Sequence, residues 1–291
     1  MTFAHAGLNR APAKRRSPEW VAARRREPAA RALLLSERGL WVDDGRLVLA
    51  RPRDRDVFLG LTGDTPVFAT DVGDETPARG RPAGLREAAA ELPPEEAALA
   101  AYAASLLNWH RRHRFCANCG RPTVPRDGGH ERYCPACDTP HFPRTDPVVI
   151  VRVTAGERLL LARKGDWPEG RYSILAGYVE PGESLEDAVR REVREESGVA
   201  VGAVAYVDSQ PWPFPSSLML GFHAEGDGRE PRPDDFELSD VRWFGRDEVL
   251  DAAAGRGAVF LPPPFTIARR LIDGWLATLS GRDAPGRRRR S

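Results

Sequence analysis

"GYVEPGESLEDAVRREVREESGV", residues 177–199, is the stretch on which the reading of this chain turns. Ser184 followed by Asp187 makes a capping-box-like helix start, and Gly198 supplies the stop. At about 100° per residue, Leu185, Ala188, Val189 and Val193 fall on one apolar arc, and Glu192 and Glu196 project within it. Arg190 and Arg194 lie roughly opposite, where they cannot neutralise those two carboxylates. Glutamates at i and i+4 repel by about 0.2–0.5 kcal/mol on an exposed helix, and partial burial makes unpaired carboxylates costlier. A divalent cation answers that cost, because carboxylate oxygens suit Mg²⁺ and Mn²⁺, which also bind diphosphates. Glu195 widens the cluster, and Arg191, four residues before it, is spaced to pair with it and orient it. On helical patterning alone, a charged helix edge that coordinates nothing stays open as the alternative.

Around this helix the pattern is mixed α/β. "PVVIVRVT" (147–154) and "ERLLLAR" (157–163) read as two strands joined at Ala155 and Gly156. Further strand-like runs fall at 172–179, 203–208, 217–224 and 238–244, with a second helix at 266–279. No G-x-G-x-x-G or Walker A sequence points to a Rossmann or P-loop enzyme. Upstream, Cys116, Cys119, Cys134 and Cys137 are spaced C-x2-C-x14-C-x2-C, the pattern of a zinc ribbon. Four thiolates close a tetrahedral shell, so this Zn²⁺ is expected to be structural, with His113 and His130 not needed as ligands. From 21 to 114, short apolar runs alternate with turn residues, and an Ala-rich helix begins at Pro93 and Pro94; a small α/β domain is expected. Glu95, Glu96 and the Arg/His cluster at 110–114 read as solvated helix ends.

Lys plus Arg number 43 against 42 Asp plus Glu, so the global field gives no reason to expect a protein that coats nucleic acid or acidic membranes. No run of eighteen apolar residues and no apolar signal core occurs, so the expectation is a cytoplasmic protein without membrane association. Residues 1–20 and the tail 281–291, including Arg287–Arg290, are rich in Arg, Pro and Gly and are expected to be mobile.

The 177–199 segment resembles the Nudix box, G-x5-E-x7-R-E-U-x-E-E-x-G-U, where U is apolar. It matches at Gly177, Glu183, Arg191, Glu192, Val193, Glu195, Glu196, Gly198 and Val199. The resemblance implies an α/β/α sandwich over 143–280, preceded by the zinc ribbon at 115–142 and the N-terminal α/β domain at 21–114. It also implies catalysis by divalent Mg²⁺ or Mn²⁺ held by Glu192, Glu195 and Glu196, with Glu183 supporting the loop. "SQPWPFPSSLM" (209–219), "FELSDVRWF" (236–244) and "LPPPFTIARRLI" (261–272) look like the NADH pyrophosphatase branch of that family. By similarity to that branch, Glu237 is a further metal ligand, and Phe142, Tyr178, Gln210, Trp212, Phe214 and Ala268 contact the substrate. Prolines stiffen the 209–219 loop, so Trp212 and Phe214 are expected to wall a planar-ring pocket. The implied activity is hydrolysis of the NAD(H) diphosphate and of NAD caps on RNA, by a homodimer. Open alternatives are a Nudix hydrolase of another nucleoside diphosphate derivative, such as ADP-ribose, and a catalytically inactive zinc-ribbon protein that binds nucleic acid.

Overall fold

In the computed structural model, residues 2–4, 6–233 and 237–280 are described. The chain divides into two compact units: one runs to Thr145 and takes in Pro211–Ser217, while the other holds Asp146–Gln210 and the described residues from Leu218 onward.

The first unit opens with α1 (Pro18–Arg26), then β1 (Arg31–Ser36), β2 (Gly39–Asp43), β3 (Arg46–Leu47), β4 (Leu49–Ala50), β5 (Val57–Thr62), β6 (Thr65–Asp71) and β7 (Arg81–Ala83). These strands form one sheet of order β3-β2-β1-β6-β5, with β4 beside β1 and β7 beside β2. Helices α2 (Leu85–Glu91) and α3 (Pro94–Arg112) follow, and α3 buries Ala100, Ala103, Leu106 and Trp109. The small ribbon sheet β8 (Val124–Arg126), β9 (Glu131–Cys134) and β10 (Thr139–His141) completes the unit in the order β10-β9-β8.

The N-terminal segment departs from expectation. Phe3 and Ala11 are buried, Asn9 exchanges backbone hydrogen bonds with Leu61 at 2.9 Å each way, and Arg15 pairs with Asp127 at 3.1 Å. Helix α1 starts within it, Ser17 accepting from Trp20 N with Pro18 at the first helical position. A composition averaged over twenty residues hides two buried apolar side chains and one backbone pairing, which are enough to tie the segment down. The tail 281–291 lies outside the described residues.

Two imidazoles, His110 half-buried and His130 buried, tie the ribbon turn to the end of α3 and to β5 respectively. His110 donates from Nε2 to the Gly129 carbonyl at 2.7 Å and accepts at Nδ1 from the Arg132 guanidinium at 3.0 Å, an arrangement open only to the neutral ring. His130 donates from Nε2 to the Phe58 carbonyl at 2.8 Å. Burial, the main cause, depresses each from 6.5 to about 4. Both rings are therefore neutral when folded, while the unfolded chain takes up protons below about pH 6.5. Their stabilisation is complete above that pH and drains away as pH falls towards about 4, by up to about 3 kcal/mol per histidine. Denaturant titrations from pH 7.5 to 4 are expected to show this loss, and His110→Gln to flatten it; an unchanged slope in that variant would contradict the assignment.

The second unit comprises β11 (Asp146–Ala155), β12 (Arg158–Lys164), β13 (Leu175–Tyr178), α4 (Leu185–Ser197), β14 (Val201–Trp212), β15 (Ser217–Gly226), β16 (Leu238–Gly245), α5 (Arg246–Ala253) and α6 (Ile267–Ser280). The sheet order is β14-β15-β11-β12-β16, with β13 paired to β11. Helix α4 lays the predicted arc onto β11 and β13: Ala188, Val189 and Val193 are fully buried with Val149, Val151, Leu175 and Phe222. At about 25 cal/mol per Å² of buried apolar surface, each such valine contributes roughly 1.5–3 kcal/mol, and the helix is pinned with its glutamates at the edge of this core.

Candidate active site

Helix α4 begins as its sequence dictates. Ser184 Oγ accepts from Asp187 N at 3.2 Å and donates to the Asp187 carboxylate at 2.8 Å, and Gly198 ends the helix at φ 70°, the left-handed cap that favours glycine. Arg190 points away and pairs with Asp187 at 2.9 Å.

Arg191 is the hub. Its guanidinium grips Glu183 through two bonds (2.6 and 3.1 Å), reaches Glu192 at 2.8 Å and Glu195 at 3.0 Å, and donates to the Tyr178 carbonyl at 2.9 Å. Glu183 also accepts from Glu180 N at 2.8 Å, so this carboxylate closes the loop before α4. Those bonds, the Arg191 one foremost, hold Glu183 below the ordinary carboxylate range. Sharing one cation among three carboxylates raises Arg191 far above its usual value and leaves surplus negative charge.

That surplus faces Glu196 and Glu237. Glu196 is 6% exposed, and Glu192 is half-buried. Burial raises Glu192 above the usual range, Arg191 opposes this, and the charges of Glu195 and Glu237 add to the rise. Glu237 stands just before β16 and bonds Lys164 at the end of β12 at 3.0 Å. Burial by itself depresses Lys164, but the bond and charge of Glu237, followed by Glu196 and Asp166, carry it above its ordinary value. The residues expected to hold a divalent cation, Glu192, Glu195, Glu196 and Glu237, are thus linked by charge, directly or through Lys164, while among the described residues the four cysteines alone have ligand atoms already converged at metal-binding spacing. Gly177 leaves room for the Glu192 carboxylate: a Cβ there would sit 1.8 Å from the Glu192 carboxyl carbon. An all-oxygen set with more acid than base fits a hard divalent cation. Lys164 had no local signal, since its place beside Glu237 follows from the β12–β16 pairing and its shift at Arg163/Lys164.

The remaining expected substrate residues separate. Tyr178 is exposed, and Ala268 is buried near the start of α6. Gln210 departs from expectation: it is fully buried, its amide donating to the Phe265 carbonyl at 2.9 Å and accepting from Ile267 N at 2.8 Å. With both ends engaged, its side chain caps α6 and is not open to substrate. Phe142, Trp212 and Phe214 belong to the first unit. Phe142 is exposed, whereas the Trp212 and Phe214 rings pack edge-on at 5.0 Å. They meet Phe3 at 6.2 and 6.0 Å and lie under Arg86 at 5.5 and 4.3 Å. Here, instead of walling an open pocket, they form a half-buried aromatic cluster, because the apolar Phe3 edge and a guanidinium are available to cover them.

In the ribbon, the ligand atoms of Cys116, Cys119, Cys134 and Cys137 lie within 4.8 Å of one another, the closest pairs at 3.5 and 3.6 Å. Tetrahedral Zn–S bonds of about 2.3 Å require sulfurs about 3.8 Å apart, so the cradle fits Zn²⁺. Asn118 N (3.4 Å) and His141 Nε2 (3.2 Å) approach the Cys116 sulfur, the kind of outer bonds that orient metal thiolates. The Thr139 hydroxyl, then Cys119, lowers the Cys137 thiol, while Cys119, lowered by the Arg121 backbone bond but raised by Cys137 and the other thiols, moves up.

Family models match along the chain: the NADH pyrophosphatase-like rudimentary NUDIX domain at 17–109, the NADH pyrophosphatase zinc ribbon domain at 111–142 and the NUDIX domain at 143–262. The NAD-capped RNA hydrolase NudC of Stutzerimonas stutzeri is 44% identical over 87% of this chain and 82% of its own length. The chain belongs to the Nudix hydrolase family. The NudC of Deinococcus radiodurans is 42% identical over 77% of this chain and 78% of its own. The human NAD-capped RNA hydrolase NUDT12 is 46% identical over 64% of this chain, which spans only 43% of that relative's length. Membership in the Nudix family implies a divalent cation, and the zinc ribbon match with its four-cysteine cluster supports structural zinc. Stripping the zinc with a chelator, or making Cys119→Ser, is expected to lower the unfolding midpoint before the intrinsic turnover of molecules still folded changes, because a closed thiolate shell has no position for substrate. Metal analysis alongside melting checks this; purified protein lacking stoichiometric zinc would refute it.

Proposed function

We propose that the chain hydrolyses the diphosphate of NAD(H) to nicotinamide mononucleotide and AMP, and removes NAD caps from RNA 5′ ends. The observation that carries this reading is the set of glutamates on α4 with Glu237, on a chain matched across most of its length by relatives named NAD-capped RNA hydrolase. Glu192, Glu196 and Glu237 would hold Mg²⁺ or Mn²⁺, with Glu195 beside them; the bound cation supplies charge neutralisation on the diphosphate and a lowered pKa for the attacking water. Arg191 fixes the rotamers of Glu192 and Glu195, and Lys164 fixes Glu237. Glu195, more exposed than Glu192 and Glu196, is in this reading the group that takes the water's proton. One P–O bond forms to that water's oxygen, and the bond from the same phosphorus to the bridging oxygen breaks.

In the same reading, 21–114, 115–142 and 143–280 are the three domains, and the molecule works in the cytoplasm as a homodimer. Tyr178, Phe142, Ala268, Trp212 and Phe214 remain the proposed substrate contacts. No helix among the described residues is long and apolar enough to cross a membrane. Incubating one RNA with an NAD cap or a 5′-triphosphate is the deciding experiment. Release of nicotinamide mononucleotide and 5′-monophosphate RNA from the capped form alone is expected, and an intact cap under conditions where free NADH is consumed would overturn the RNA half of the proposal.

A further inference from the structure

The first unit holds a cleft of about 930 Å³ between α1, the β5 entry and the ribbon turn at Asp127–Gly129, lined by seven arginines and four aspartates. Most of those aspartates are already engaged. Asp127 pairs with Arg15, Asp71 with Arg111, and Asp56 accepts from the Thr70 hydroxyl and from Arg53 N. Arg53 is paired with Glu75, and Arg132 is spent on Thr123 and His110.

Four guanidiniums make no ion pair with a described carboxylate, although the charges of Asp56 and Asp54 act on Arg25. Arg126 covers the Tyr133 ring, and Arg16 and Arg55 are exposed and make no ion pair with a described residue. Arg25 reaches the Asp56 carbonyl at 3.2 Å, yet its Nε is buried with no acceptor in reach. A buried N–H of a charged group without an acceptor is costly enough to call for a ligand or an ordered water. Guanidinium forks match phosphate oxygens in geometry as well as charge. The cleft's apolar walls are Val21, Val57, Leu107 and two prolines, and the lining holds no Phe, Tyr or Trp for a base or nicotinamide ring to stack on, its one aromatic ring, His110, being engaged with Gly129 and Arg132. A site that grips phosphates and ignores rings suits a chain of phosphodiesters better than a free dinucleotide.

We propose that this cleft binds backbone phosphates of the RNA that carries the cap, through Arg16, Arg25 and Arg55. The proposal rests on the capped-RNA reading above and adds a second grip, separate from the glutamate cluster. The binding is indifferent to sequence and sensitive to salt.

The test uses the full chain, a labelled 5′-monophosphate single-stranded RNA without a cap, and the exposed double variant Arg16→Gln/Arg55→Gln, with unfolding midpoint and zinc content as controls. Affinity of the double variant is expected to fall about tenfold, and the slope of log affinity against log salt to become shallower by about 1.4, for two contacts at about 0.7 each. NADH turnover stays within about twofold, whereas KM for NAD-capped RNA rises about tenfold at unchanged kcat. Arg25→Gln is expected to behave likewise; if it unfolds, the exposed pair decides. Wild-type RNA affinity and salt slope in the double variant would overturn the proposal, as would displacement of RNA from this site by millimolar AMP or inorganic phosphate, which would mark a free-nucleotide or free-phosphate site. Uncapped RNA keeps the two readings apart: wild-type protein that leaves caps intact yet loses RNA binding on Arg16→Gln/Arg55→Gln refutes the decapping activity and not the cleft.

Discussion

Glu192→Gln and Glu196→Gln are each expected to cut kcat for NADH by more than about 100-fold, since loss of a metal ligand costs more than the 10–100-fold typical of its outer partners. Neither change alters shape, so the fold survives. Stability should move the other way. Glu196 is 6% exposed, and Glu192 is half-buried, with burial and two neighbouring acids pushing against its charge. Replacing a buried carboxylate by a neutral amide removes that penalty, so unfolding midpoints measured without divalent cation should hold or rise as activity falls. Glu183→Gln supplies the contrast, because Glu183 is bound to Arg191 and Glu180 N and belongs to the loop; a smaller kinetic loss and a lower midpoint are expected there. A Mg²⁺ and Mn²⁺ series of kcat for the three variants, beside their melting curves, checks the split. Near-wild-type rates in both helix variants would remove the glutamate cluster from the chemistry.

What could be read without coordinates was local. Helix α4 was legible because its period, its Ser184 start and its Gly198 stop lie within fifteen residues of one another, and the structure gives Leu185–Ser197. The cysteine spacing likewise carries its own geometry, and the six strands expected after residue 146 are present with shifted ends. What was missed depends on distant pairing. Lys164 meets Glu237 across two strands that are neighbours only in the folded sheet, and Trp212 and Phe214 meet Phe3 and Arg86 from far along the chain. Helix α1 was hidden by its charge, since Val21 is its one buried residue and no apolar stripe announces it. The bonds from the Gln210 amide to the start of α6 likewise carry no local signal, since Phe265 and Ile267 lie more than fifty residues away.

Gly177→Ala is expected to abolish most activity although the substitution adds a single methyl. The new Cβ would fall 1.8 Å from the carboxyl carbon of Glu192 and about as close to both of its oxygens, at 2.0 and 2.1 Å. One side must yield. Gly177 stands opposite Val149 in the β11–β13 ladder, between the pairs Tyr178–Val148 and Ala176–Ile150, so retreat of the strand breaks sheet hydrogen bonds. The carboxylate is the softer partner, but moving it gives up its 2.8 Å bond to Arg191 and takes it out of the cluster with Glu195 and Glu237. A displacement of about 1 Å at a reacting centre costs about 100-fold, and crowding a packed site typically costs about 1–3 kcal/mol of stability. The diagnostic is non-additivity. If the methyl acts by displacing Glu192, then Gly177→Ala combined with Glu192→Gln should be little slower than Glu192→Gln alone, because the group it displaces has already lost its function. Losses that multiply across the pair would show that the alanine acts elsewhere, through the β11–β13 ladder, and would detach Gly177 from the cation site.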